Sequence, residues 1–217
     1  MEIYIPQAVE QSKDFYGGLL YNQALFPSIA AHLEALALRM WEGVRAGNES
    51  VFREISNFHR DHLGRNHEAL VRLRLTEADC RQAIANEYGF ETWPDVVEVA
   101  IPYDMAYEKT VDALLAGKAA KLAEFIGRKP ALLNQSSGYG HKATLLHYAV
   151  SNGVEIWRQQ VPLNLPEMVA FLLEKGANPA ARMNVYGGEY TAAELLLSSL
   201  HPRNAGVFEE LRNLLDT

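Results

Sequence analysis

Three histidines and an aspartate form the densest group of possible metal ligands in this sequence. His59, Asp61, His62 and His67 lie within one short stretch, and a spacing of three places His59 and His62 on the same side of a helix. A closed zinc site takes four ligands of these types. The HExxH pattern is not completed, because Val71 stands where its second histidine belongs. The charged residues around the group are typical of a solvated helix end, so we interpret these as surface histidines and expect no bound metal.

A glycine-rich turn, GYGHKA at 138–143, matches the spacing of the dinucleotide-binding fingerprint. That fingerprint functions only after a buried strand, with an acidic residue about 20 positions further on. The preceding segment, PALLNQSS at 130–137, does not have the pattern of such a strand. We therefore interpret 138–143 as a turn between helices and expect no cofactor. Nucleophile elbows, phosphate-binding loops and paired CxxC motifs are also absent from the sequence, so we expect no catalytic residues.

The most distinctive polar segment is EIWRQQ at 155–160. It places Trp157 and Arg158 beside the amide side chain of Gln159. Tryptophan and arginine are enriched in the residues that dominate binding energy at protein interfaces. A long loop on a rigid scaffold is also a common place for binding residues. The sequence therefore favours a binding role for this segment.

Helical periodicity covers most of the chain. Apolar residues recur at helical spacing from Ile29 to Val44, Ser28 precedes this stripe, and Asn48 begins the next helix. Thr76 followed by Asp79 predicts a capping box. Further helices are predicted at 105–116, 119–127 and 207–215. The first 27 residues are predicted to form an arm, with a short extended segment at 3–5, that packs back onto the first helices.

Two short predicted helices lie in TLLHYAVSNG (144–153) and LPEMVAFLLEKGA (165–177), and each ends at a glycine. Thr144 caps the first and Asn164 the second. This order, strongest over 139–197, resembles the ankyrin repeat of bacterial ankyrin-repeat proteins, with its T-P-L-H-x-A motif. The resemblance implies stacked helical hairpins that bind proteins, and it implies that His147 hydrogen-bonds the backbone of an adjacent turn. Leu145 replaces the usual proline, which argues against the β-hairpins of ordinary ankyrin repeats.

The repeat is longer than the ankyrin pattern, and the excess lies in an insertion at 154–165. Stacking would bring this insertion near the turns before and after it. The predicted partner-binding residues are Tyr139, His141, Trp157, Arg158, Gln159, Tyr186, Tyr190 and His201. Two interpretations of the insertion stay open, because Trp157 either belongs to a polar-aromatic binding patch or fills the gap that the enlarged repeat leaves.

Composition excludes several other classes of protein. The formal net charge is −7, and no basic surface is indicated of the kind that nucleic acid requires. Cys80 is the only cysteine, which excludes an internal disulfide and favours a reducing compartment. The sequence has no secretory signal pattern and no apolar run of about 20 residues. We therefore expect a cytoplasmic protein that binds neither nucleic acid nor membrane.

These features predict an all-α protein built as a helical-hairpin solenoid with ankyrin-like repeats. The predicted parts are the arm (1–27), a divergent helical-repeat region (28–103) and an ankyrin-like region (104–217) that carries the insertion 154–165. The expected function is a non-catalytic module that binds a protein or peptide partner. The alternative is a small-molecule-binding protein or an enzyme with a pocket under the insertion, next to His141, His147, Glu155, Arg158 and His201.

Overall fold

The computed structural model describes residues 2–216, and most of these residues are helical. The predicted all-α class is therefore confirmed. Contacts divide the chain into two compact units. One unit is Glu10–Tyr103, and the other combines the residues before Glu10 with those from Asp104 onward.

Seven helices precede Tyr103 in the described chain. They are α1 (Gln7–Tyr16), α2 (Gly18–Tyr21), α3 (Ile29–Arg45), α4 (Glu49–Phe58), α5 (His67–Arg72), α6 (Glu77–Glu87) and α7 (Trp93–Glu98). Short 3-10 turns lie at Gln23–Leu25 and Arg60–His62.

Helix α3 forms the centre of this unit and packs mainly against α6. The predicted stripe on α3 is buried at Ile29, Leu33, Leu36, Ala37 and Met40. Three predicted helix starts are also confirmed, because each offers a side-chain oxygen to an unpaired backbone N–H. Those oxygens belong to Ser28, which accepts from Ala31 N (3.2 Å), to Asn48, and to Thr76 with its partner Asp79.

The second unit contains seven further helices and four short strands among the described residues. The helices are α8 (Met105–Leu115), α9 (Ala119–Arg128), α10 (Leu145–Ala149), α11 (Leu165–Glu174), α12 (Ala192–Ser198), α13 (Leu200–Asn204) and α14 (Phe208–Leu215). The strands are β1 (Ile3–Tyr4), β2 (Val161–Pro162), β3 (Met183–Val185) and β4 (Gly188–Tyr190). One continuous apolar core runs through helices α8 to α14.

The first residues of the chain pair with the insertion. β1 lies antiparallel to β2, with Ile3 opposite Pro162 and Tyr4 opposite Val161. The backbone N–H of Leu163 donates to the carbonyl of Glu2 (3.1 Å). The prediction that this segment packs onto the first helices is wrong. An extended segment needs partners for its backbone groups, and the extended part of the insertion offers them whereas a helix does not.

A β-hairpin joins α11 to α12. β3 pairs with β4, and the two residues between them, Tyr186 and Gly187, have φ of 53° and 76°. Two consecutive positive φ values define the tight turn that fits the twist of antiparallel strands. The expectation that the sequence would lack such hairpins is therefore wrong at this position.

Several side chains in the second unit donate to carbonyls that lie a similar distance further along or back in the chain. The residue separations are 42 to 47. The donor–acceptor pairs are Asn134–Gly176 (3.0 Å), Asn184–Gly140 (3.2 Å), His147–Tyr190 (3.1 Å), Asn152–Leu195 (2.8 Å), Gln160–Leu115 (2.8 Å) and Asn164–Gly117 (3.1 Å). Asn164 precedes α11 as predicted, but its side chain makes this long-range bond and does not cap the helix.

Gly43 tests the packing of α3. A methyl group at this position would lie 2.6 Å from Val51 Cγ2 and 2.7 Å from Phe15 Cζ. Alanine normally stabilises a helix relative to glycine by up to ~1 kcal/mol, but overpacking costs ~1–3 kcal/mol. We expect Gly43→Ala to lower the free energy of unfolding, measured by urea titration. The matched control is Gly127→Ala in α9, where the methyl group meets open space. Equal or raised stability of Gly43→Ala would contradict the described packing.

Candidate functional site

The insertion 154–165 folds against α8 and α10. It contains a 3-10 turn at Ile156–Arg158, then β2, and it ends at the start of α11. Val154, Ile156 and Val161 are buried. Alternation of apolar and polar residues within so short a segment directs its polar side chains at other buried groups, and these contacts determine its conformation.

Arg158 lies at the centre of these contacts and is 1% exposed. Its guanidinium lies 2.7 Å from a carboxylate oxygen of Glu108, 2.9 Å from Glu155 and 3.0 Å from Asp112. The same group lies 4.4 Å from the ring centroid of Trp157. A buried charge needs both counter-charges and hydrogen bonds, and this site supplies them from α8 and from the insertion itself.

His141 extends the contacts to the turn before α10. Its Nδ1 accepts the backbone N–H of Ala143 (3.0 Å), so Nε2 carries the proton and donates to Glu155 (3.1 Å). The hydroxyl of Tyr148 donates to the same carboxylate (3.1 Å). His141 and Glu155 are fully buried. This pair therefore joins the insertion to the preceding turn and does not present an acid and a base to solvent.

The buried carboxylates respond to these contacts in opposite directions. Burial acts to raise the pKa of Glu155, but the hydrogen bond from His141 and the charge of Arg158 outweigh it, and the pKa falls to about 2. Burial raises the pKa of Glu108, and Arg158 only partly opposes that rise. Glu155 is thus the firmly ionised partner of Arg158.

His147 makes the contact that the family resemblance implies. Its Nδ1 accepts from the backbone N–H (3.1 Å) and the hydroxyl (2.8 Å) of Thr144, and its Nε2 donates to the carbonyl of Tyr190 (3.1 Å). The implied bond to the backbone of an adjacent turn is therefore confirmed. Burial lowers the pKa of His147 to about 4, so the ring is neutral near pH 7.

The predicted partner-binding residues do not form one exposed patch. Tyr139, His141, Trp157 and Arg158 are buried. Four others are more accessible: Gln159, Tyr190 and His201 are half-buried, and Tyr186 is exposed. An exposed patch that includes the first four is therefore wrong for this structure. Its alternative, in which Trp157 fills the space inside the enlarged repeat, agrees with the burial of that side chain.

Some predicted residues nevertheless contact one another. His201 Nε2 lies 3.2 Å from Gln159 Oε1. The hydroxyl of Tyr186 donates to Asn152 Oδ1 (2.7 Å) instead of contacting the insertion. Sequence analysis missed Glu108, although a signal was present. Glu108 lies on α8 between the buried residues Tyr107 and Val111, and a carboxylate among apolar residues requires a buried partner.

The histidines around residue 60 also differ from the prediction. α4 ends at Phe58, so His59 and His62 flank a 3-10 turn and do not share a helix face. His59 is buried, which makes the interpretation of surface histidines wrong for this residue. Cys80 is fully buried as expected for a small apolar side chain, and burial raises the pKa of its thiol to about 12.

A concavity of about 570 Å³ lies within residues 14–39 and includes Phe15, Tyr16 and Arg39. None of the eight predicted binding residues lines this concavity. The alternative expectation of a pocket at the insertion finds its charged residues paired directly with one another.

Comparison with known proteins gives no relative for this chain. No family model, no curated protein and no solved structure matches it. Across residues 2–216, every helix is too short or too polar to cross a membrane.

We expect Arg158→Met to lower the free energy of unfolding by about 3–5 kcal/mol, because it leaves buried carboxylates without their cation. Urea titration of the full chain measures this change. The matched control is Arg212→Met, whose surface pair with Glu209 (2.6 Å) is half-exposed and is expected to contribute less than ~1 kcal/mol. A similar loss in both variants would show that Arg158 does not depend on its buried contacts.

His147 predicts a pH dependence of stability. Its pKa is about 4 in the folded chain and ~6.5 in the unfolded chain. The unfolded state therefore binds a proton first as the pH falls, and stability present above pH ~6.5 is lost towards pH 4, by at most about 3 kcal/mol. In His147→Gln, unfolding free energies between pH 6.5 and 4 should depend less steeply on pH, by about one proton. Above pH 7 the two curves should run parallel. An unchanged slope would contradict the neutral buried imidazole.

Proposed function

We propose that residues 104–217 form an ankyrin-like solenoid and that this solenoid is a non-catalytic module that binds a protein partner. The observation that supports it is the set of hydrogen bonds between residues 42 to 47 apart. Bonds of nearly constant separation are expected when each repeat contacts the next in the same way. The period is longer than the 33 residues of an ankyrin repeat, and the insertion accounts for most of the difference.

The contacts of His147 add a second argument for the ankyrin type. The imidazole holds the start of its own helix through Thr144 and reaches the hairpin at 183–190 through Tyr190. Helix α10 has five residues, too few to be stable alone. A short helix that is held by a neighbouring turn is the construction that the repeat motif implies.

We infer that the partner contacts the surface formed by Tyr186, Leu197, Leu200 and Arg203, here called the hairpin surface. Tyr186, Leu197 and Leu200 are 69%, 58% and 66% exposed. Asn152 connects them, because it accepts from the Tyr186 hydroxyl (2.7 Å) and donates to Ser198 (3.0 Å). Aromatic, aliphatic and arginine side chains at the tip of a rigid scaffold suit an apolar segment of a partner protein.

This assignment is favoured over a pocket at the insertion for a chemical reason. The side chains that would act in such a pocket, His141, Glu155 and Arg158, are each saturated by contacts with other residues of the chain. Opening them to a ligand would expose a buried ion pair, which is strongly unfavourable unless the ligand replaces each contact.

Cross-linking of the full chain to its partner in extract of the source cells tests the hairpin surface. We expect the double variant Tyr186→Ala, Leu197→Ser to reduce capture of the wild type's cross-linked partner by at least tenfold, because residues that anchor an interface contribute more than ~1.4 kcal/mol each. The melting temperature should remain within a few degrees of wild type, since neither side chain is in the core.

The matched control is Leu63→Ser, which changes a leucine that is also 58% exposed but lies in the other unit. Its capture should equal that of the wild type. Undiminished capture by the double variant would reject the hairpin surface, and the absence of any saturable cross-linked protein would reject the proposed module.

A further inference from the structure

Two histidines and an aspartate converge in the unit Glu10–Tyr103. His59 follows the last residue of α4, His62 ends the next 3-10 turn, and Asp79 lies in the first turn of α6. One potential ligand atom from each of the three lies within 4.8 Å of the other two. The rings of His59 and His62 lie 4.2 Å apart, at an angle of 21°. Packing of α4 against α6 holds this arrangement.

The distance between His59 and Asp79 fits an intervening ion better than a direct bond. His59 Nε2 lies 3.8 Å from Asp79 Oδ1, which is too long for a hydrogen bond. Two ligand atoms bound to one zinc ion, each about 2.1 Å from it, lie at most about 4.2 Å apart. His59 and Asp79 already satisfy this limit, and His62 needs a shift of no more than about 0.6 Å.

The carboxylate is oriented by its helix cap. Asp79 Oδ2 accepts from the backbone N–H (2.6 Å) and the hydroxyl (2.7 Å) of Thr76. Both bonds use one oxygen, so Oδ1 remains directed at His59. Hydrogen bonds that orient a ligating carboxylate in this way are a regular feature of metal sites.

The two imidazoles have unused capacity. Nδ1 of His59 and Nδ1 of His62 are buried, and neither has a hydrogen-bond partner among residues 2–216. His59 is 4% exposed. A buried polar atom without a partner is costly, and two such atoms next to a free carboxylate oxygen are explained most simply if the group binds a ligand that accepts nitrogen and oxygen donors.

We propose that His59, His62 and Asp79 bind one divalent first-row transition-metal ion. Imidazole and carboxylate ligands suit zinc and iron, and two histidines with one carboxylate are a known ligand set for both. Three protein ligands leave a coordination position open, and the half-buried His62 and Asp79 make that position reachable from solvent. The site is separate from the hairpin surface and does not depend on the function proposed for it.

Isothermal titration of the metal-stripped, tag-free full chain with Zn²⁺ tests the site, with Co²⁺ absorption as a second readout. We expect one equivalent of Zn²⁺ to bind, and we expect His62→Ala and Asp79→Asn each to weaken binding at least tenfold. Asn at position 79 retains an oxygen for the Thr76 cap, which keeps the fold. The visible absorption of bound Co²⁺ should be lost in both variants.

The matched controls are Asp61→Asn and His67→Ala, which remove an exposed carboxylate and an exposed imidazole from the same segment. Each should bind Zn²⁺ with an affinity within about threefold of the wild type. Three results would overturn the proposal: no saturable Zn²⁺ or Co²⁺ binding by the wild type, unchanged affinity in both site variants, or an equal loss in the controls. Circular dichroism melts confirm that each variant is folded, and His62→Ala, which leaves the α6 cap intact, decides the matter if Asp79→Asn is not.

Discussion

A single neutral imidazole joins two turns that are 43 residues apart in the chain. His147 can accept from Thr144 and donate to Tyr190 at the same time only while one of its nitrogens carries no proton. Burial maintains that state by disfavouring the charged ring. The start of α10 and the position of the hairpin 183–190 therefore depend on the same group. The other long-range bonds repeat this arrangement with amide side chains, which have no comparable ionisation.

The insertion is held by charge where the rest of its unit is held by apolar packing. Glu155 and Arg158 are part of the insertion, whereas Glu108 and Asp112 belong to α8, so the ion pairs span two elements. Buried ion pairs contribute little net stability compared with apolar packing. Their geometric demands are strict, however, because a displaced partner leaves a buried charge unpaired. In this chain they select one conformation for a segment that has little regular structure.

Local features of the fold were predictable from sequence, and tertiary partners were not. The stripe on α3 and the caps at Ser28, Asn48 and Thr76 follow from spacing and side-chain chemistry within a few residues. The role of Asn164 could not be read in this way, since its amide donates to Gly117, 47 residues earlier.

The same reasoning explains the errors at the candidate sites. Arginine and tryptophan were expected at a surface because both are common in interfaces, yet Glu108 supplies Arg158 with a buried counter-charge from 50 residues before it in the chain. Likewise His59 meets a carboxylate, Asp79, that lies on another helix and outside any local motif. The resemblance to ankyrin repeats identified the contact of His147 because that motif encodes a relation between neighbouring repeats and not only a local conformation.

The pairing of β1 with β2 has a consequence for the order of folding during synthesis. Ile3 and Tyr4 leave the ribosome more than 150 residues before Val161 and Pro162, an interval of roughly 8–30 s at ordinary translation rates. Residues 10–103 form a compact unit of their own and can fold within that interval. The unit that contains the long-range bonds is therefore completed late, when the oldest segment of the nascent chain finds one of its youngest.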